Sequence, residues 1–334
     1  MQKYLPILKS KRGEFKSLSA LTSFNKSQII PCIELLVGFT DLTYQQLSEI
    51  WTFEGNEIII DSSYFTTAEL GIEYIELLER LRSAGVQAIP VIEINSPQHL
   101  IDLVKDYINK YNSKLCIRIR GEYLYGSASN ADIVKLIKNA SVELQDTILI
   151  LDSEDVNSQN LKFNIDHVIL FIKGINNASK YYLIASTSGS FPENLSKIDA
   201  DTIKNLPRIE WEIWKRINAK LSLSNLIYGD YGIKHPLIDP GTTPFEGTCS
   251  IKYTTEDYYI IFRGIRSSDH ATGSAQYHEK CKLVVAHPLY DGKSFSWADG
   301  EIDECSKRIV KPGNGESWVK IGHNHHFVKI LSLL

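Results

Sequence analysis

Short apolar runs alternate with longer amphipathic stretches along residues 4 to 232. The runs are YLPILK (4–9), IIPCIEL (29–35), EIIID (57–61), AIPVIEI (88–94), LCIRIRG (115–121), TILILD (147–152), YYLIAST (181–187) and NLIYGDYG (225–232). Each is rich in Ile, Leu, Val or Tyr, the pattern of strands buried on both faces of a parallel sheet. Between them lie helical patterns: EFKSLSALTSF, LTYQQLSEIW, TTAELGIEYIELLERLRSAG, SPQHLIDLVKDYINKY, NADIVKLIKNASVEL and LPRIEWEIWKRI. In the third, Thr66 and Glu69 stand at capping-box spacing and Gly85 marks the end. NIDHVILFIKGI (164–175) is apolar enough to pass for a ninth strand. Parallel strands need a crossover of about a dozen residues or more, and the stretch from Asp152 to Tyr181 otherwise lacks a helix, so this segment is expected to be helical.

Eight β/α units in about 230 residues predict a closed (β/α)8 TIM-like barrel. A doubly wound open sheet is the alternative, but no G-x-G-x-x-G follows the first strand. Pro31 and Pro90 each open an I-P-x-I-E run, at a strand start where proline costs no ladder bond. Residues 234–248 carry Pro236, Pro240, Pro244, Gly241 and Gly247, the composition of a linker loop. Beyond it, SIKYTTEDYYIIFRG predicts a hairpin about Thr254 to Asp257, SAQYHEKCKLVVAH a helix and SWVKIGHNHHFVKIL a terminal β segment. The expected organisation is a barrel over 1–233, a linker over 234–248 and a C-terminal α+β appendage over 249–334, packed on the barrel.

The strand ends change the picture from fold to site. They carry Lys9, Glu34, Asp61, Glu93, Arg118 with Arg120, Asp152, Ser186 with Ser188, and Asp230. Barrel active sites are built at this C-terminal mouth because side chains fill the interior. In a strand alternate residues share a face, so Glu34 tops a column with Ile30 and Cys32, and Asp152 one with Ile148 and Ile150. Carboxylates converging on one mouth repel unless offset, by Lys9, Arg118 and Arg120 in part and by a divalent cation for the rest. Asp61, Asp152 and Asp230 are the expected metal ligands, with Mg or Mn as the ion. The bland reading is that the charges neutralise one another and solvate the rim.

Composition sets outer limits. The 334 residues are 43% hydrophobic and 23% charged, enough to bury a sizeable core, and a net charge of −4 excludes a global basic field for coating nucleic acid. The first residues are too charged for a signal peptide and no run approaches a membrane span, so a cytoplasmic protein without membrane contact is expected. Five cysteines without a C-x-x-C pair argue for reduced thiols and against zinc. No nucleophilic triad motif and no Cys/His pair in a recognisable context stands out.

Other rim features point to anions. The ASTSGSFP loop with Ser188 and the GDYG turn supply hydroxyls and amides where barrels often hold phosphate, though an ordinary β/α turn reads the same way. Lys9, Lys11 and Arg12 form a basic cluster after the first strand. IGHNHHFVKI (321–330) raises a separate question. On a strand, His323 and His325 would share a face opposite His326, so at most two converge on one centre. The expectation is that this tail packs beside the end of strand eight and directs His325 or His326 to the carboxylate ring as a proton carrier, not a zinc ligand.

Taken in order, YLPILKSKRGEF, IIPCIEL, the GSFP after strand seven, RIEWEIW, YGDYG, IKYTTEDYYIIFRG and the closing NHH resemble the phage-type "beta protein" family over nearly the whole chain. The resemblance implies a barrel-like fold and an association with phages and mobile or defence-related bacterial loci; it carries no reaction. Its matching polar positions include Lys9, Arg12, Glu34, Asp61, Asp152, Asp230, Arg263, His325 and His326. Three function classes follow. The leading one is a metal-assisted hydrolase or phosphodiesterase acting on a phosphate-containing or nucleic-acid-related substrate. In it Lys9, Arg12, Glu34, Glu93, Arg118, Arg120, Ser188 and Arg263 bind substrate, while Asp61, Asp152, Asp230, His325 and His326 do the chemistry. The others are a non-catalytic sensor of a nucleotide or phosphorylated small molecule, and a module that contacts another phage or defence protein.

Overall fold

In the computed structural model, residues 2–52, 55–65, 67–237 and 247–334 are described. The strands are β1 Tyr4–Lys9, β2 Cys32–Glu34, β3 Glu57–Asp61, β4 Gln87–Glu93, β5 Leu115–Arg120, β6 Thr147–Asp155, β7 Leu183–Gly189, β8 Ile203–Pro207, β9 Leu226–Asp230, β10 Ile251–Thr254 and β11 Tyr258–Phe262. The helices are α1 Arg12–Ser19, α2 Ser23–Lys26, α3 Thr40–Ile50, α4 Ala68–Ser83, α5 Gln98–Tyr111, α6 Asn130–Asn139, α7 Leu161–Gly174, α8 Ile209–Lys220, α9 Gln276–Val285, α10 Trp297–Ser306 and α11 Gly315–Leu333. Two compact units result: Met1–Lys11, Lys26–Gly189 and Ile209–Tyr231 make the first, and Arg12–Asn25, Ser190–Arg208 and Gly232–Leu334 the second.

The first unit is a closed parallel barrel in the order β1-β2-β3-β4-β5-β6-β7-β9, so the eight apolar runs are its eight strands. Closure is made by β1 on β9, with Tyr4 beside Tyr228 and Pro6 beside Asp230. The ambiguous 164–175 segment is helical, within α7. The cap of α4 is Thr67, whose hydroxyl accepts from the amide of Leu70. Thr66, expected in that role, lies outside the described residues, as do 238–246 of the proline-rich loop.

Period-two alternation fills the barrel. Leu5 and Ile7, Cys32, Ile59, Ile89 and Val91, Cys116, Ile148 and Ile150, Leu183 and Ala185, and Ile227 form one buried cluster. Continuing each column by two residues gives Lys9, Glu34, Asp61, Glu93, Arg118, Asp152, Thr187 and Gly229, the layer in which apolar packing gives way to charge.

The second unit holds an antiparallel sheet in the order β10-β11-β8. The expected hairpin is β10 and β11, joined through Thr255, whose amide donates to the carbonyl of Tyr258 at 2.8 Å. Strand β8, IKNLP, is missed by pattern reading because most of it is exposed, leaving no alternation to see. The terminal segment is a helix, α11, and not a β segment. Asn314 caps it, accepting from the amide of Ser317 while Ser317 returns a bond to the Asn314 amide. Its run from Ile321 to Phe327 is buried all round, so neither a helical nor a strand stripe is legible there.

Gly229 is a position where the barrel tolerates no side chain. A Cβ there would stand 2.1 Å from Cγ2 of Thr187 and 3.0 Å from the carbonyl of Leu5. Gly229→Ala is therefore expected to overpack the β7–β9–β1 seam and cost about 1–3 kcal/mol or more, measured as a lower urea midpoint with an unchanged slope.

Candidate functional site at the barrel mouth

Arg118 organises the mouth. Its side chain is sealed from solvent, and a guanidinium has five N–H donors to place. Nε donates to Asp152 Oδ2 at 3.0 Å and Nη2 to the same oxygen at 2.5 Å. Nη1 reaches Glu34 Oε1 at 2.9 Å and also Asp61 Oδ2, and Nη2 reaches the hydroxyl of Tyr231 at 2.7 Å. The Tyr231 hydroxyl in turn donates to Asp152 Oδ2 at 2.5 Å. All five donors are spent on the protein, which leaves Arg118 nothing to offer a substrate.

Burial alone would lower the pKa of Arg118, but Tyr231, Asp152, Asp61 and Glu34 outweigh it and hold the cation well above its ordinary value. Burial likewise pushes Asp61 up, and Arg118, Ser63 and Arg120 overcome it, so its carboxyl sits below the usual range. The guanidinium thus stands where the sequence reading places a divalent ion. Asp61 and Asp152 do come together, but around Arg118. Among the described residues no group of three or more His, Cys, Asp or Glu side chains is disposed to hold a metal ion.

Asp230 is not in this ring, and strand parity explains why. Ile227, Gly229 and Tyr231 share the inward face, so Asp230 shares the other with Tyr228. There it accepts from Tyr4 at 2.5 Å and from Tyr228 at 2.8 Å. Ser188 pairs in register with Asp230 and likewise lies off the inward column of Ala185 and Thr187. Lys9 is inward, buried and paired with Glu34. The basic cluster after β1 therefore does not act as one: Lys11 and Arg12 are exposed, and Arg12 opens α1 in the second unit.

One layer above Arg118 the mouth opens. Arg120 Nη2 holds Glu93 Oε1 at 2.9 Å. A cavity of about 300 Å³ lies over the ends of β3 and β4, lined by Asp61, Ser62, Ser63, Glu93, Asn95 and Ser96 with apolar Phe65, Val91, Pro97 and Leu100. Ser63, which the sequence reading missed, links the two carboxylates. Its amide donates to Asp61 Oδ1 at 2.8 Å, and its hydroxyl lies against Asp61 Oδ1 and 2.9 Å from Glu93 Oε1. One hydroxyl proton serves one carboxylate at a time, so two ionised carboxylates would compete for Ser63. Consistently, burial and then Asp61 raise the pKa of Glu93. Glu154, within the irregularity of β6 between Asp152 and Asp155, is also raised, by burial and by Asp152.

The histidines and Arg263 have work in the second unit. His325 Nδ1 meets Asp299 Oδ2 at 2.9 Å and Nε2 meets the Thr254 carbonyl at 2.8 Å, with the ring stacked on Tyr253. His326 Nδ1 lies 2.9 Å from the Thr254 hydroxyl. Both nitrogens of His325 are engaged, so the expected proton carrier is a cross-link between α10, α11 and β10. His323 Nδ1 bonds the Val319 carbonyl at 3.0 Å, while Nε2 is buried without a partner. Arg263 bonds the hydroxyls of Thr248 and Ser250 and the Ile198 carbonyl, tying loops together.

The family model described as Beta protein matches residues 4–332. The chain belongs to the Beta protein family. No curated protein matches it. Among solved structures, this Beta protein family member is similar to endonuclease IV from Thermus thermophilus, at 12% identity over 71% of this chain and 93% of that one, with a TM-score of 0.36. It is also similar to the alanine racemase of Clostridium difficile 630 in complex with cycloserine, at 10% identity over 78% and 75% of the two chains, TM-score 0.34.

Two outcomes are expected of this Beta protein family member. Asp152→Asn leaves the buried cluster around Arg118 with one positive charge in excess and should cost about 3–5 kcal/mol in urea unfolding, where loss of a metal ligand alone would leave stability unchanged. For His323, burial and then Lys234 hold the pKa well below 6.5, so the unfolded chain binds the extra proton first. Stability is fully present above about pH 6.5 and declines as pH falls towards the depressed value, by at most about 1.4 kcal/mol per unit from this group. Unfolding at a series of pH values should show that decline flattened in His323→Gln.

Proposed function

We propose that the barrel mouth binds a small, neutral, hydroxyl-rich molecule in the cavity over β3 and β4. The observation that carries this is the Glu93–Ser63–Asp61 chain beside a fully committed Arg118. With a proton on Glu93, the cations Lys9, Arg118 and Arg120 face the ionised carboxylates Glu34, Asp61 and Asp152, and the cluster has no excess charge to draw a phosphate or a metal ion. What it offers is hydrogen bonding from Glu93, Ser62, Ser63, Asn95 and Ser96 against an apolar floor, in a volume at the lower end of ligand-site sizes. This supports the ligand-binding class over the metal-assisted hydrolase or phosphodiesterase. The phage- or defence-associated setting implied by the family remains part of the proposal.

A second reading, hydrolysis with Glu93 as general acid, is favoured by the opposite pKa directions of Glu93 and Asp61. Against it, Asp61 has both oxygens engaged by Arg118 and Ser63, so it is held back from acting as nucleophile or base.

The test is thermal unfolding with a panel of neutral saccharides and polyols, a nucleoside monophosphate and Mn²⁺. A neutral polyol should raise the Tm, with an effect that weakens as pH rises and Glu93 ionises. Glu93→Gln keeps a donor without a titrating group and should retain binding while losing that pH dependence. Stabilisation by the phosphate or Mn²⁺ alone would refute the proposal.

A further inference from the structure

Three of the five cysteines, Cys249, Cys281 and Cys305, share one core cluster of the second unit, and two of them do more than pack. Cys281 lies on α9, one turn beyond His278 on the same helix face, and Cys305 lies in the last turn of α10, the helix packed against α9 in this cluster. His278, one turn before Cys281 on α9, brings Nδ1 to 3.5 Å from the sulfur of Cys305 and 2.7 Å from its carbonyl oxygen. This is a Cys/His pair in a defined context, which the linear spacing conceals because its members come from two helices.

We propose that Cys305 and Cys281 are an oxidisable thiol pair that a hydroperoxide converts to a disulfide, with Cys305 as the attacking sulfur and His278 as its positioning residue. The thiol asymmetry supports this assignment. The neighbouring Cys281 thiol, opposed by burial and aided by His278, lowers the pKa of Cys305 to about 7, while burial raises that of Cys281. Glu301, on the same helix as Cys305, works against the lowering. A thiolate is the reactive form, so Cys305 attacks first.

In the first step the Cys305 sulfur attacks one oxygen of the hydroperoxide. An S–O bond forms, the O–O bond breaks, and water or an alcohol leaves with a proton, giving a sulfenic acid. In the second, the sulfur of Cys281 attacks the Cys305 sulfur, the S–S bond forms, and the hydroxyl leaves as water with the proton of Cys281. Two thiols are oxidised and one hydroperoxide is reduced. Both thiols are buried, and Cys305 lies one residue from the end of α10. A hydrogen peroxide molecule needs only a local opening there. The product staples α9 to α10.

The experiment treats the full chain with hydrogen peroxide and maps peptides without reduction. The expected result is loss of two hydrogens in a Cys281–Cys305 linked peptide, while Cys32 and Cys116 of the barrel remain thiols. Cys281→Ser should leave a sulfenic acid on Cys305, trapped by dimedone, and Cys305→Ser should slow oxidation of the remaining thiols in this unit at least about tenfold. His278→Gln should move the pH midpoint of Cys305 alkylation upwards, a change that lost packing alone would not produce. Linkage through Cys249, linkage between chains, or alkylation of Cys305 only at the rate of Cys32 and Cys116 during global unfolding would overturn the proposal.

Discussion

A guanidinium sealed inside a barrel must have every N–H met and its charge balanced, and this requirement shapes the mouth of the protein. Arg118 can sit beneath the opening only because Glu34, Asp61 and Asp152 reach it from β2, β3 and β6 and Tyr231 from just past β9. Those residues are in turn fixed by period-two alternation, which carries each column of aliphatic side chains to a polar end. An isolated buried cation or carboxylate would cost several kcal/mol, so the group stands or falls together. The chemistry open to the mouth is what this arrangement leaves over.

What it leaves over is one layer higher. Arg120 shares the parity of Arg118 but is partly open, and it holds Glu93 beside the cavity. Burial and then the charge of Asp61 raise the pKa of Glu93, with Ser63 between the two carboxyls. Fixed charge thus lies below, and Glu93, like Glu154, has its pKa raised by burial and a neighbouring carboxylate. The arrangement differs from a carboxylate cage, in which the same oxygens would face a metal ion instead of a guanidinium.

Much of the barrel was legible because its strands are buried on both faces and their sequences carry nothing but that burial. The charged strand ends were legible too, and Lys9, Glu34, Asp61, Glu93, Arg118 and Asp152 do meet. Their pairing was not. A run of carboxylates reads as a metal site until it is known that one arginine reaches three of them. Asp230 and Ser188 were assignable by parity, since counting inward from Ile227 and Ala185 selects Gly229, Tyr231 and Thr187 instead. Ser63 lies past the strand end, where no periodicity applies. In α11 the failure has another cause: its run from Ile321 to Phe327 is buried on all sides, so the histidines of GHNHH gave no period to count. Cys305 and His278 are 27 positions apart on different helices, and only packing unites them.

The central claim is that Arg118 is the internal counter-ion of the mouth, and a double-mutant cycle between Arg118→Met and Asp152→Leu, read by urea unfolding, tests it most directly. The account predicts that each single change costs several kcal/mol and that the double variant recovers at least about 2 kcal/mol of their sum, because the Arg118–Asp152 interaction is then lost only once. Additive losses within about 0.5 kcal/mol would contradict it, since the two groups would then be acting independently and Asp152 would have to be serving something other than Arg118.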